Sequence, residues 1–255
     1  MKLMISLRTE LLKTKRTAAF YLTLVAAAFG PFMSLLDLIF GEGVSEENGK
    51  VIFNEMFIQK FQMTSFVMLP MFVVLICTLL PQIEYKNNAW KQVLTSPQTK
   101  GNVFLAKFIN IHLLILLFLI VNQLCMLVTV VILHFKEPSL NVLNQPVNWH
   151  KVLVNILNIY VALLAMSTIQ FWLGLRFKNF IVPIAVGISC WIIGVILVEQ
   201  FQSSFAAYFP YSFHVFGTFP DSKAQLNNIL WTSAGYAVLF LVLGFIDFKR
   251  RGNRS

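Results

Sequence analysis

Across 255 residues the chain is 57% hydrophobic and only 12% charged, with a mean hydropathy of +0.72. A soluble domain cannot hide that much apolar surface, whereas a bilayer solvates it, so a water-soluble globular protein is excluded. The formal charge of +9 calls for no nucleic acid, because basic residues retained on one side of a membrane account for it.

In chain order, residues 1–16 predict an amphipathic helix at the membrane surface. Leu3, Met4, Leu7 and Leu11 share one face, and Lys2, Thr9, Lys13 and Arg16 lie opposite. The basic start and Ala26-Ala27-Ala28 also suit a signal peptide, but the apolar run continues to Phe40 and reads as an uncleaved span. Six segments are apolar over the ~20 residues a helix needs to cross a hydrocarbon core: 17–40, 61–83, 108–133, 152–175, 180–198 and 229–248. Helices are expected because lipid leaves backbone groups no outside partner, and the runs do not alternate as barrel strands do. With both termini cytoplasmic, fifteen of the twenty lysines and arginines fall on the inner side. The first outer loop holds Glu42, Glu46, Glu47 and Glu55, a patch that is either solvated charge or a lure for cationic peptides.

The connection after the second span is more structured than a plain loop. Asn87 or Asn88 can cap a short helix. Trp90, Val93 and Leu94 then share one face while Lys91, Gln92 and Thr95 face elsewhere, and Pro97 stops the helix. Such an element suits either a docking surface or a tryptophan anchor in the headgroups.

Elsewhere chemistry is sparse. Cys77, Cys125 and Cys190 sit within spans, where cysteine acts as a small hydrophobe. His112, His134, His150 and His214 lack ligand spacing, so no metal site is expected. No phosphate-binding glycine loop occurs, so the chain is not itself a P-loop ATPase. Polar residues at mid-span are neutral: Asn122, Gln123, Asn155, Asn158, Ser167, Thr168 and Gln170. That disfavours a proton- or sodium-coupled transporter, which needs a titrating or coordinating site at depth. Most such residues bond neighbouring helices; Asn122, Gln123, Asn155, Asn158 and Gln170 are the candidates for a substrate path. Between the fifth and sixth spans, residues 203–221 carry Phe205, Tyr208, Phe209, Tyr211, Phe213, Phe216 and Phe219. They fit a re-entrant element or an outer aromatic belt. No second domain, linker or repeat is visible, so residues 1–255 form one membrane domain.

The run Glu84…Asn88-Ala89-Trp90-Lys91-Gln92-Val93-Leu94-Thr95-Ser96-Pro97, followed by Lys107, resembles a signature of ABC-2-type permeases. It is most similar to the group linked to lantibiotic and bacteriocin immunity and multidrug export. Ala89, where threonine is common, and the late basic residue Lys100 depart from that pattern. The resemblance implies an all-α membrane domain of six spans with an N-terminal interfacial helix. It further implies that residues 84–107 form a cytoplasmic coupling loop with Glu84, Asn88, Trp90, Lys91, Leu94, Pro97 and Lys107 as its contact residues. It implies two separate ATP-binding subunits that hold ATP and Mg, a second permease chain, the bacterial inner membrane, and no cofactor on this chain. A polytopic enzyme would instead need polar catalytic groups clustered at one membrane face. A non-transporting anchor or sensor would tolerate changes at Asn122, Asn155 and Gln170.

Overall fold

The computed structural model describes residues 2–40, 56–86, 98–138, 141–144, 148–219 and 223–251. These are mostly helical, with no strand among them. The helices are α1 (Lys2–Thr14), α2 (Ala18–Phe40), α3 (Leu69–Lys86), α4 (Lys100–Lys136), α5 (Trp149–Ala162), α6 (Leu164–Arg176), α7 (Ile181–Glu199), α8 (Phe213–Thr218) and α9 (Lys223–Arg251). Wider π-helical turns, Met56–Lys60 and Thr64–Met68, lead into α3. Among the described residues six stretches are long and apolar enough to cross a membrane: Ala18–Phe40, Ile58–Tyr85, Lys100–Lys136, Trp149–Arg176, Ile181–Glu199 and Gln225–Arg250. The third is longer than expected, because Thr99 caps α4 by accepting from the Asn102 amide and so starts the helix eight residues before the apolar run.

The core is the seam where α3, α4 and α6 meet. Phe72, Phe104, Phe118 and Phe171 are fully buried there, and Phe72 stacks on Phe118 at 4.9 Å. Spans one, five and six lie outside it, with much of their apolar surface outward. An outward apolar face is what a helix in lipid presents.

Prolines inside spans explain several buried polar residues. Pro31 lacks an amide hydrogen, which frees the Ala27 carbonyl four residues earlier, and Asn122 Nδ2 donates to that oxygen at 2.8 Å. Pro81 frees the Cys77 carbonyl in the same way. Gly174 lets α6 approach it, since a side chain there would collide with that oxygen. The fourth span is split at Leu163, where a serine enters the helical ladder. Ser233 Oγ of α9 donates to Val161 O (2.7 Å) and accepts from Ala165 N (3.2 Å). Inserted side chains of this kind are a standard cause of kinks.

Between α7 and α9 the chain folds back into the bundle. Tyr211, Ser212, Phe213 and His214 are buried while Phe205 and Tyr208 stay exposed, so the aromatic run divides between an interior re-entrant part and an outer rim. Tyr211 O–H donates to Gln170 Oε1 at 3.0 Å, and Gln170 Nε2 donates to Thr78 Oγ1 and Pro183 O.

Candidate functional site

At the end of the bundle where α4 begins and α9 finishes, three elements converge on the flanks of the segment 87–97. Helix α1 presents Ser6, Glu10 and Thr14 on one face, at the four-residue spacing that aligns side chains, and all three are buried. Met4, Ile5, Leu11 and Leu12 face outward. The helix expected at the membrane surface is docked to the bundle, and it docks by a polar stripe. Ser6 Oγ donates to Gln98 Oε1 (2.8 Å), Lys107 Nζ donates to Glu10 Oε2 (2.9 Å), and Asn110 Nδ2 donates to Thr14 Oγ1 (2.8 Å). Hence α1 runs along the first turns of α4 in the same direction.

The end of α3 closes the arrangement. Glu84 Oε1 accepts from Lys107 at 2.6 Å and from Lys13 at 3.0 Å, and Lys13 also donates to Glu10 at 2.9 Å. Two carboxylates and two ammonium groups thus alternate around a square that joins α1, α3 and α4. Glu84 and Lys107 are 3% and 4% exposed. Buried charges persist only when paired in good geometry, and each here faces opposite charges. Burial alone would raise the Glu10 carboxyl, but Lys107 and Lys13 outweigh it and hold the group below the usual carboxylate range. Burial would lower the Lys13 ammonium; Glu84 and Glu10 outweigh it and hold that group above the usual lysine range. Glu84 Oε2 is buried and has no hydrogen-bond partner among the described residues.

The same turn of α3 is gripped from the other side. Tyr85 O–H donates to Leu175 O (2.7 Å) and Gln82 Nε2 donates to Phe177 O (2.9 Å), both at the end of α6. Beneath the square, Phe104 packs on Phe171, Phe245 and Phe248. A more exposed cluster lies on α6 and α9, where Asp247 accepts from Trp172 Nε1 and Arg176.

Of the expected contact residues, Glu84 and Lys107 are brought together directly. Both belong to helices, so the two ends of the stretch 84–107 are helical. Asn88, Trp90, Lys91, Leu94 and Pro97 lie outside the described residues, as do Glu42, Glu46, Glu47 and Glu55. Glu10, Ser6 and Asn110 are absent from the sequence-based expectation, and Lys13 enters it only as part of an outward basic face. One signal was available: Glu10 is the lone acid among the first 36 residues, set in a polar i, i+4, i+8 stripe.

The candidate path residues separate into two groups. Asn122 Nδ2 takes the Ala27 carbonyl freed by Pro31, while its Oδ1 is buried without a partner among the described residues, and Gln170 is a fully buried junction bonded to neighbouring helices. Gln123 keeps both amide atoms, and Asn155 its Nδ2, buried without a partner among the described residues. Asn158 is half-buried. Among the described residues no group of His, Cys, Asp or Glu is placed to hold a metal ion.

A comparison with protein families matches the ABC-2 family transporter protein profile over residues 6–194, well over half of the chain. The chain belongs to the ABC-2 transporter family. No curated protein matches the chain. This ABC-2 protein is therefore a multi-pass membrane permease of an ABC transporter, a class whose transmembrane subunits work with ATP-binding subunits. The matched region takes in the whole ion square, from Glu10 to Lys107.

Proposed function

We propose that this ABC-2 permease is the transmembrane half of an exporter, with residues 84–107 as the element that receives force from a partner ATPase. The supporting observation is the ion square. It ties both flanks of the segment 87–97 to one another and to α1, so a push on that segment reaches three helices at once. ATP favours one arrangement of the spans only if it binds the two arrangements unequally, and a rigid collar around the receiving loop carries that difference into the bundle. In this reading two ATP-binding subunits hold ATP and Mg, a second permease chain, same or related, completes the assembly, and this chain binds no cofactor. Its single domain (1–255) sits in a bacterial inner membrane with both termini cytoplasmic, the side that carries fifteen of the twenty lysines and arginines. The cargo is an amphiphile such as an antimicrobial peptide or drug, in keeping with the lantibiotic-immunity and multidrug-export group. Gln123 and Asn155 are the better path candidates, since their amide atoms lack partners among the described residues and unpartnered amides at membrane depth are costly unless something binds them; Asn158, half-buried, stands beside them.

The test is co-purification from detergent with the tagged chain. Wild type is expected to bring down an ATP-binding subunit, and Trp90→Ala and Glu84→Ala to recover much less. A well-folded wild type that captures no ATPase overturns the assignment.

A further inference from the structure

Three spans end at one edge of the bundle, on the same side as the ion square. Helix α6 finishes at Arg176, α7 starts at Ile181 and the sixth span finishes at Arg250. Helix α6 lies between the other two: Gln170 Nε2 donates to Pro183 O on α7 at 2.7 Å, and Trp172 lies against Gly244 and Phe240 of α9. Arg176, Lys178, Lys249 and Arg250 are all exposed at this edge. Arg176 is held by the Asp247 carboxylate at 3.3 Å, with its guanidinium 5.9 Å from the centre of the Trp172 ring. Lys178, Lys249 and Arg250 make no ion pair among the described residues. Asp247 is the sole acid from residue 240 to 255, and none occurs from 171 to 198. Glu84, on the adjoining turn of α3, is buried in the ion square.

Backbone polarity here has the same sign. The Leu175 and Phe177 carbonyls at the end of α6 are taken by Tyr85 and Gln82. Helix α7 begins beside them and turns the positive end of its dipole to this surface; Asn179 Oδ1 accepts its Ile181 amide. Immediately deeper the surface is apolar. Ile169 and Leu173 share the face of α6 that carries Arg176 and are partly exposed. Ile181 on α7 and Leu243 on α9 are exposed to either side. Retention of basic residues on one side explains which end carries the cations. It does not explain four cations on three adjoining span ends above a continuous apolar strip, an order that matches a phosphodiester followed by an acyl chain. A zwitterionic headgroup gains little from such an edge, whereas an anionic one gains from each cation.

We infer that this edge binds an anionic phospholipid of the adjoining leaflet, its phosphate among Lys178, Lys249 and Arg250 beside Arg176, and one acyl chain along Ile169 and Leu173. The lipid then staples the ends of the fourth, fifth and sixth spans to one another, with or without an ATPase.

The test uses the purified chain in phosphatidylcholine nanodiscs, with phosphatidylglycerol carrying a diazirine in its acyl chain as the probe. Saturable photolabelling within residues 169–181 or 242–250 is expected, competed by unlabelled phosphatidylglycerol and weakened when salt rises from about 0.1 M to about 1 M. Lys178→Gln, Lys249→Gln and Arg250→Gln together should weaken apparent affinity about a hundredfold, at about fivefold per cation. Arg8→Gln, Lys15→Gln and Arg16→Gln together remove the same charge from α1 and should leave labelling little changed. Label position and competition are read on the wild type, so they carry the test if the first triple variant does not purify as a folded protein. Equal loss in the two triple variants would mean general surface attraction and overturn the site. Labelling spread over all spans, equal competition by phosphatidylcholine, or displacement by soluble glycerol 3-phosphate overturns it too. Binding is read on the permease alone, so failure to capture an ATPase and failure to bind the lipid are separate results.

Discussion

At the level of single residues, the outcome at Lys107 is set by what truncation leaves behind. Its side chain is 5% exposed and lies between Glu10 and Glu84. Lys107→Ala strands two buried carboxylates with only the half-exposed Lys13, and breaking a buried pair in this way costs about 3–5 kcal/mol. Removing charge from both partners, as in Lys107→Met with Glu84→Gln, should cost clearly less than the two single changes added together, because neither leaves its partner stranded. Thermal unfolding of the four proteins in one detergent measures the coupling, and additive losses would show that the square contributes no pairwise energy. Asn122 follows the same logic in neutral form. Its position in mid-span suggests a cargo contact, yet the carbonyl freed by Pro31 takes its amide.

For α1 as an element, attachment is a matter of charge, and its pH window follows from the directions at Glu10 and Lys13. Glu10 is lowered from an ordinary 4.5, so its contribution is complete above that value and lost as pH falls through the lowered one. Lys13 is raised from an ordinary 10.5, so its contribution is complete below that value and lost as pH rises through the raised one. The helix should stay docked from pH 4.5 to 10.5 and loosen beyond either edge. Spin labels at Thr9→Cys and Leu105→Cys, with Cys77, Cys125 and Cys190 replaced by alanine, report this as a distance that holds across the window and broadens outside it. A distance that drifts steadily through neutral pH would contradict the ion-pair account. The helix also marks how far the sequence was legible. Hydropathy alone found the six spans, since each is a long apolar run. It found the outward face of α1 but not the docked one: an apolar face next to lipid gives periodicity, while a polar stripe facing protein gives none without its partners. Glu84 and Lys107 were legible through the family resemblance that singles them out. Glu10 needed the third dimension, as its contact with Lys107 joins residues 97 apart. Helix starts suffered likewise, because Thr99 sets the beginning of α4 through a cap that hydropathy does not weigh.

Across the whole molecule, Gln170 gathers span two through Thr78, span five through Pro183 and the re-entrant segment through Tyr211. Gly194 allows that segment to approach, since a side chain there would lie 2.6 Å from the Tyr211 carbonyl. Tyr211→Phe leaves Gln170 Oε1 without its donor at a fully buried site, a loss of about 1–3 kcal/mol. Adding Gln170→Leu removes the stranded acceptor at the cost of the other two bonds, so the double variant should unfold at a temperature higher than additivity predicts. Strict additivity would mean that the hydroxyl and the amide act independently. The break at Leu163 bears on how such a bundle can move. An unbroken helix would keep its own ladder, but here Val161 and Ala165 are joined through the hydroxyl of Ser233 on α9. In hydrocarbon neither backbone group has water to turn to. The fourth span cannot straighten or bend further at that point unless the sixth lets go or comes along, so the pair swings as a single leaf with its hinge pin supplied by the neighbour.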